Sequence, residues 1–146
     1  MGAGERVAED RGGGAVREPT PDAAAFRWWR DALAGRNPPI HDSDPQCGFY
    51  KRKLIKGGPF VPARIWIEQH LDADGLLTRQ EVIRCEIGDR TADASDQWSY
   101  LAANPITEAD FNHMTARARW AAQHADDHPI ANPTRAVDWT TSRIPF

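Results

Sequence analysis

Residues 47–87 read CGFYKRKLIKGGPFVPARIWIEQHLDADGLLTRQEVIRCEI. Two turn signals divide this stretch. Gly57-Gly58 is a two-glycine hairpin signal, and Asp72-Ala73-Asp74-Gly75 reverses the chain a second time. Between them Val61, Ala63, Ile65 and Ile67 recur at period two, and Ile83, Cys85 and Ile87 do so after the second turn. That is the period of a strand with one buried face. The pattern predicts strands at 47–56, 60–71 and 76–87, a three-stranded antiparallel meander. Counted back from the two turns, Cys47 faces Glu68 and Gln69, while Cys85 faces Pro62 and Ala63. The two cysteines then lie at opposite ends of the sheet, as free thiols.

Helical signals flank the sheet. From Asp22, a residue able to accept from first-turn N–H groups, to Gly35, a helix stop, Phe26, Trp29 and Leu33 share one face, which Trp28 widens. A proline-rich loop follows at 36–46. Beyond the sheet, Asp93 to Asn104 carries Trp98, Leu101 and Ala102 and ends at Pro105. Thr107-Glu108-Ala109-Asp110 resembles a capping box and opens a helix to about Ala125. Its stripe is Phe111, Met114, Ala118, Ala121 and Ala125. The fold class expected is α+β: the three-stranded sheet packed against two or three helices that cover its apolar face, with an irregular C-terminal tail pinned by Trp139, Ile144 and Phe146.

Composition sets the limits. The chain has 146 residues, 40% hydrophobic and 27% charged, with a net charge of −3. These values suit one globular domain and exclude a uniformly basic nucleic-acid binder. Residues 1–22 hold five glycines, two prolines, eight charges and no aromatic. Such a segment cannot bury enough apolar area to offset its ordering entropy, so disorder is expected at 1–22 and a single domain at 23–146. No apolar run reaches the roughly 18 residues of a membrane span. No secretory signal is visible at the N-terminus, and two cysteines are too few for a disulfide framework. The expectation is a cytoplasmic protein with no membrane partner.

Pro45-Gln46-Cys47-Gly48-Phe49-Tyr50, followed by Gly57-Gly58-Pro59-Phe60-Val61-Pro62-Ala63-Arg64-Ile65-Trp66, resembles a group of small uncharacterised proteins encoded by bacteriophages and prophages of proteobacteria. Trp98, Pro105-Ile106-Thr107-Glu108, Asn132-Pro133-Thr134-Arg135 and Val137-Asp138-Trp139 fit the same pattern. The resemblance covers residues 45–146. It implies a phage or prophage accessory protein acting in the host cytoplasm and carries no catalytic residue with it.

Charge is the sharpest local feature. Residues 47–66 contain Lys51, Arg52, Lys53, Lys56 and Arg64 with no acid, a local charge of +5. Residues 67–112 hold ten acids against Arg79, Arg84 and Arg90. Phe49, Tyr50 and Trp66 lie among the cations, and cations with aromatics suit phosphates and unstacked bases. Tyr50, Arg52, Lys56, Arg64 and Trp66 are therefore the candidate nucleic-acid face, with Arg52 and Arg64 expected to point away from the Val61/Ile65 core face. The competing explanation is an edge strand made basic to block sheet-to-sheet pairing. A second stripe, His113, Arg117, Trp120 and His124, lies on the long helix, with Trp120 about 180° from Phe111. It serves either as a protein-binding surface or as a seat for the tail through Trp139 or Phe146.

Other chemistry finds little footing. His70 to Glu81 matches an EF-hand loop at positions three, five, six, eight and twelve, but His70 stands where the first carboxylate belongs. His41, Asp42, Asp44 and Cys47 cluster in a loop without zinc spacing. His113 and His124 lie about 16 Å apart along a helix. No serine sits in a Gly-x-Ser-x-Gly turn, and no glycine-rich phosphate loop is present. The sequence thus reads as a non-enzymatic protein without cofactor or metal, contacting nucleic acid through a basic β-hairpin. The alternative is a protein-binding module, an inhibitor of a host factor or a minor virion component, using Trp120 and the tail.

Overall fold

The spine of the structure, a computed structural model describing residues 17–134, is β2 (Phe60–Glu68). It pairs antiparallel with β1 (Gly48–Lys53) on one side and β3 (Val82–Ile87) on the other, and β4 (Arg90–Ala92) continues the sheet in the order β1-β2-β3-β4. The fourth strand is an addition to the three expected. Its hairpin is tight: the Ile87↔Arg90 pair leaves only Gly88 and Asp89, and Gly88 takes φ +64°, the left-handed value a two-residue turn needs.

The registers also differ from those counted from the turns. Lys53 pairs with Phe60, so the first hairpin loop spans Leu54 to Pro59 rather than turning on Gly57-Gly58 alone. In the second hairpin Leu71 pairs with Leu77 and Glu68 with Val82. Two residues thus separate the pairs on one strand and four on the other. Residues 78–81 thus stand outside the strand, which begins at Val82 rather than at 76. In consequence Gly48 pairs with Ile65, and Ile65 with Cys85. Cys47, next to Gly48, lies two strands from Cys85 instead of at the far end of the sheet. Two strand spacings are about 10 Å, beyond disulfide reach, and both thiols are free and buried. Burial, aided by nearby carboxylates, pushes each up to about 11.

Helices pack on both faces, not one. Successive residues of a strand point to opposite sides. Tyr50 meets Trp98 of α3 (Ala94–Leu101) with ring centroids 5.7 Å apart, while Phe49 meets Phe111 of α4 (Glu108–His124) at 4.9 Å. Both helices start where expected: Asp93 accepts from the Asp96 N–H and Thr107 from the Asp110 N–H. On α4 Ala121 is fully buried, and Phe111, Met114 and Ala118 are half-buried. Among the described residues no helix is long and apolar enough to cross a membrane.

The N-terminal helix is two: α1 (Asp22–Ala25) and α2 (Arg27–Leu33). Phe26 between them, at φ −98° and ψ 10°, turns its ring onto Trp29 and Phe49. Pro21, not Asp22, is the N-cap. Gly35 ends the pair at φ +79°, as expected. Residues 17–21, expected to be disordered, are anchored: the Leu77 N–H donates to the Arg17 carbonyl, and Thr20 donates through both its N–H and its hydroxyl to the Glu81 carboxylate. The loss of conformational freedom is offset by these bonds rather than by apolar burial.

Three indoles fix the loops. Trp28 Nε1 donates to the Pro39 carbonyl, Trp98 Nε1 to that of His41, and Trp29 Nε1 to those of Phe49 and Ile106. An indole N–H withdrawn from water needs a partner; Pro39, His41 and Ile106 supply backbone from loops with no regular structure of their own, and Phe49 supplies it from β1. The proposed pinning of the tail by Trp139, Ile144 and Phe146 lies outside the described residues.

Candidate nucleic-acid interface

The five residues expected to form one face do not. Tyr50 pairs with Ala63 on the α3 side of the sheet and is fully buried; its hydroxyl donates to the Gln46 carbonyl. Arg52 pairs with Val61 and lies on that same side, so it does not point away from the Val61 face. Arg64 and Trp66 alternate onto the opposite side. There the Arg64 guanidinium covers the Trp66 ring at 4.2 Å and its Nε binds Glu86 at 2.8 Å. Lys56 is exposed in the hairpin loop. The period-two reading had the right alternation, but it lacked the pull of Trp98, which draws Tyr50 inward.

What the fold does assemble is a cluster at the hairpin tip. One step beyond Tyr50, Arg52 clears the core and reaches α3. Its Nη1 donates to Gln97 Oε1 at 2.6 Å, its Nε donates to the Lys53 carbonyl at 3.1 Å, and its guanidinium lies 4.0 Å from the centre of the Tyr100 ring. Tyr100 is 54% exposed. An open concavity of about 470 Å³ lies beside this pair, lined by Arg52, Lys53, Leu54, Ile55, Lys56, Gly57 and Tyr100. On the other side of the sheet Lys51 and Lys53 extend over Phe60, at 4.3 and 5.0 Å.

The charge balance differs between the tip and the sheet. Arg64 pairs with Glu86, and Arg84 with Glu68 at 2.7 Å. Arg84 hydrogen bonding holds the Glu68 carboxyl below its usual range. Lys51, Arg52, Lys53 and Lys56 form no ion pair with a described carboxylate. The basic character of residues 47–66 therefore concentrates at one end of the molecule.

Edge protection accounts poorly for these cations. The outer edge of β1 is already covered: the Lys51 N–H donates to the Asn104 carbonyl, and the Phe49 carbonyl accepts from the Ile106 N–H. The Lys53 carbonyl accepts from Arg52. With these outward groups occupied, less of the β1 edge is left for another strand to pair with.

Gln97, Tyr100 and Phe60 were absent from the sequence-based set. Tyr100 carried a signal: it lies two residues from Trp98 and so faces away from the side that Trp98 buries. The contact between Tyr100 and Arg52, 48 positions apart in the chain, had none.

The glycines and prolines of residues 45–66 have largely structural work. Gly48 lies against the Trp29 indole, Pro62 is buried and accepts the Gly88 N–H through its carbonyl, and Gly58 is packed beside Ile55 and the Pro133 carbonyl. On α4 His113 is exposed, Arg117 is half-buried, and Trp120, 37% exposed, stacks on His124 at 4.7 Å. In the loop that resembles an EF-hand, Asp72 Oδ1 accepts from the Asp74 and Leu76 N–H groups, while Glu81 is occupied by Thr20 and Gln69. Among the described residues no cluster of His, Cys, Asp and Glu is arranged to hold a metal. Comparison with protein families, curated proteins and solved structures finds no match for this chain.

Proposed function

We propose that the protein binds nucleic acid through the tip of its β1–β2 hairpin, as a phage or prophage accessory protein whose role is binding and not catalysis. One observation carries the reading. Arg52, held by Gln97 and the Lys53 carbonyl, lies on an exposed tyrosine beside an open concavity edged by Lys53 and Lys56, with no carboxylate among its lining residues. Cations left without carboxylate partners attract phosphate, and binding then releases the counterions condensed on the nucleic acid. The edge-protection alternative is weakened because the β1 edge is already covered. A second reading, a protein-binding module on α4, rests on the exposed Trp120–His124 stack.

Fluorescence anisotropy of labelled DNA and RNA against salt concentration tests the proposal. Each phosphate neutralised adds about 0.7–0.9 to the slope of log affinity against log salt, so Arg52, Lys53 and Lys56 together predict a slope of roughly −2 to −3. Lys53→Glu combined with Lys56→Glu should abolish binding with the thermal midpoint unchanged. Absence of binding to any nucleic acid at low salt, or binding indifferent to the double reversal, would leave the α4 reading in front.

A further inference from the structure

The hairpin tip combines apolar and charged surface in a way that discriminates between forms of nucleic acid. Arg52 is fixed by Gln97, by the Lys53 carbonyl and by the Tyr100 ring, so its guanidinium lies over one face of the phenol. Over half of Tyr100 remains accessible. The adjoining concavity has an apolar contribution from Leu54 and Ile55, the latter 37% exposed, with Lys56 on the same loop and Lys53 at the end of β1.

A duplex keeps the faces of its bases inside the stack and presents phosphates and groove edges. Reading a major groove with a β-ribbon needs two free strands, and here α3 covers one side of the hairpin while residues 104–106 cover the edge of β1. An exposed ring and an apolar hollow have no counterpart on such a ligand. A single strand offers unstacked base faces at intervals between phosphates, the combination the tip can meet. Resting on the nucleic-acid reading of this same hairpin, we infer that its ligand is single-stranded nucleic acid, with one base stacked on Tyr100 and the flanking phosphates on Arg52 and Lys56.

The test compares a labelled mixed-sequence oligonucleotide, single-stranded and as its own duplex, at low salt. It uses the wild type, Tyr100→Ala, Tyr100→Phe and the Lys53→Glu/Lys56→Glu double variant. The wild type should prefer the single strand. Tyr100→Ala should weaken that binding roughly 5- to 150-fold, the range for losing one stacked base, whereas Tyr100→Phe keeps the ring and stays near wild type. Circular dichroism melts establish that each variant is folded, and the Phe variant preserves the test should the Ala variant melt early. Equal affinity for duplex and single strand, or Tyr100→Ala binding like wild type while the lysine reversals abolish binding, overturns the single-strand inference and leaves the broader reading intact. If the wild type binds neither form, both fail.

Discussion

Gly48 shows how closely a single position is constrained. A Cβ built there would stand 2.6 Å from the Trp29 Cβ, inside the space of that side chain. Trp29 is not free to retreat, because its indole N–H is shared between the Phe49 and Ile106 carbonyls and its ring packs edge-on against Phe26 and Phe49. Overpacking of a well-filled core costs about 1–3 kcal/mol. Gly48→Ala should therefore lower the thermal midpoint by several degrees, read by circular dichroism. An unchanged midpoint would mean that Trp29 relocates without loss, against the double hydrogen bond. Gly58 is held in the same way, packed beside Ile55 and the Pro133 carbonyl, so these glycines serve packing more than binding.

At the scale of elements, the N-terminal segment is tied to the β2–β3 hairpin by one carboxylate. Burial opposes ionisation of Glu81, but hydrogen bonds from the Thr20 N–H, the Gln69 side chain and the Thr20 hydroxyl outweigh it and hold the group below its ordinary 4.5. A lowered value means that the folded state favours the ionised form. This contribution is complete above about pH 4.5 and fades as the pH falls through the lower, folded-state value. Residues 17–21 should then release in acid before the sheet does. Glu81→Gln should reproduce the release at neutral pH. Hydrogen exchange at the Thr20 and Leu77 amides should accelerate by roughly 5- to 10-fold, about the worth of one hydrogen bond, while exchange at Ile65 stays slow. Uniform acceleration throughout the sheet would contradict a local clamp. The elements also mark the reach of periodicity. Alternation of Val61, Ala63, Ile65 and Ile67 was enough to find β2, Trp98, Leu101 and Ala102 ahead of Pro105 were enough to find α3, and the capping box at Thr107 was enough to find α4. Register was not accessible, since it depends on how many residues a loop absorbs, and the four residues after Leu77 look no different from strand. The three-residue β4 lacks an apolar alternation, although Gly88-Asp89 is itself a hairpin signal.

At the scale of the molecule, charge among the described residues of the sheet is sorted rather than balanced. The cations of β2 and β3 are paired with Glu86 and Glu68, and those of the first hairpin remain at one end. The sequence showed that a basic segment existed, with five cations and no acid over residues 47–66. It did not show which aromatics would stay outside, because Tyr50 is claimed by Trp98 and Tyr100 arrives from a distant helix. Whether the hairpin tip or α4 is the binding surface is decided most directly by mapping amide shifts of the ¹⁵N-labelled protein while a short single-stranded oligonucleotide is added. The account predicts changes concentrated at residues 52–58 and 97–100, diminishing as salt is raised. Changes centred on Trp120 and His124, or none anywhere at low salt, would contradict it.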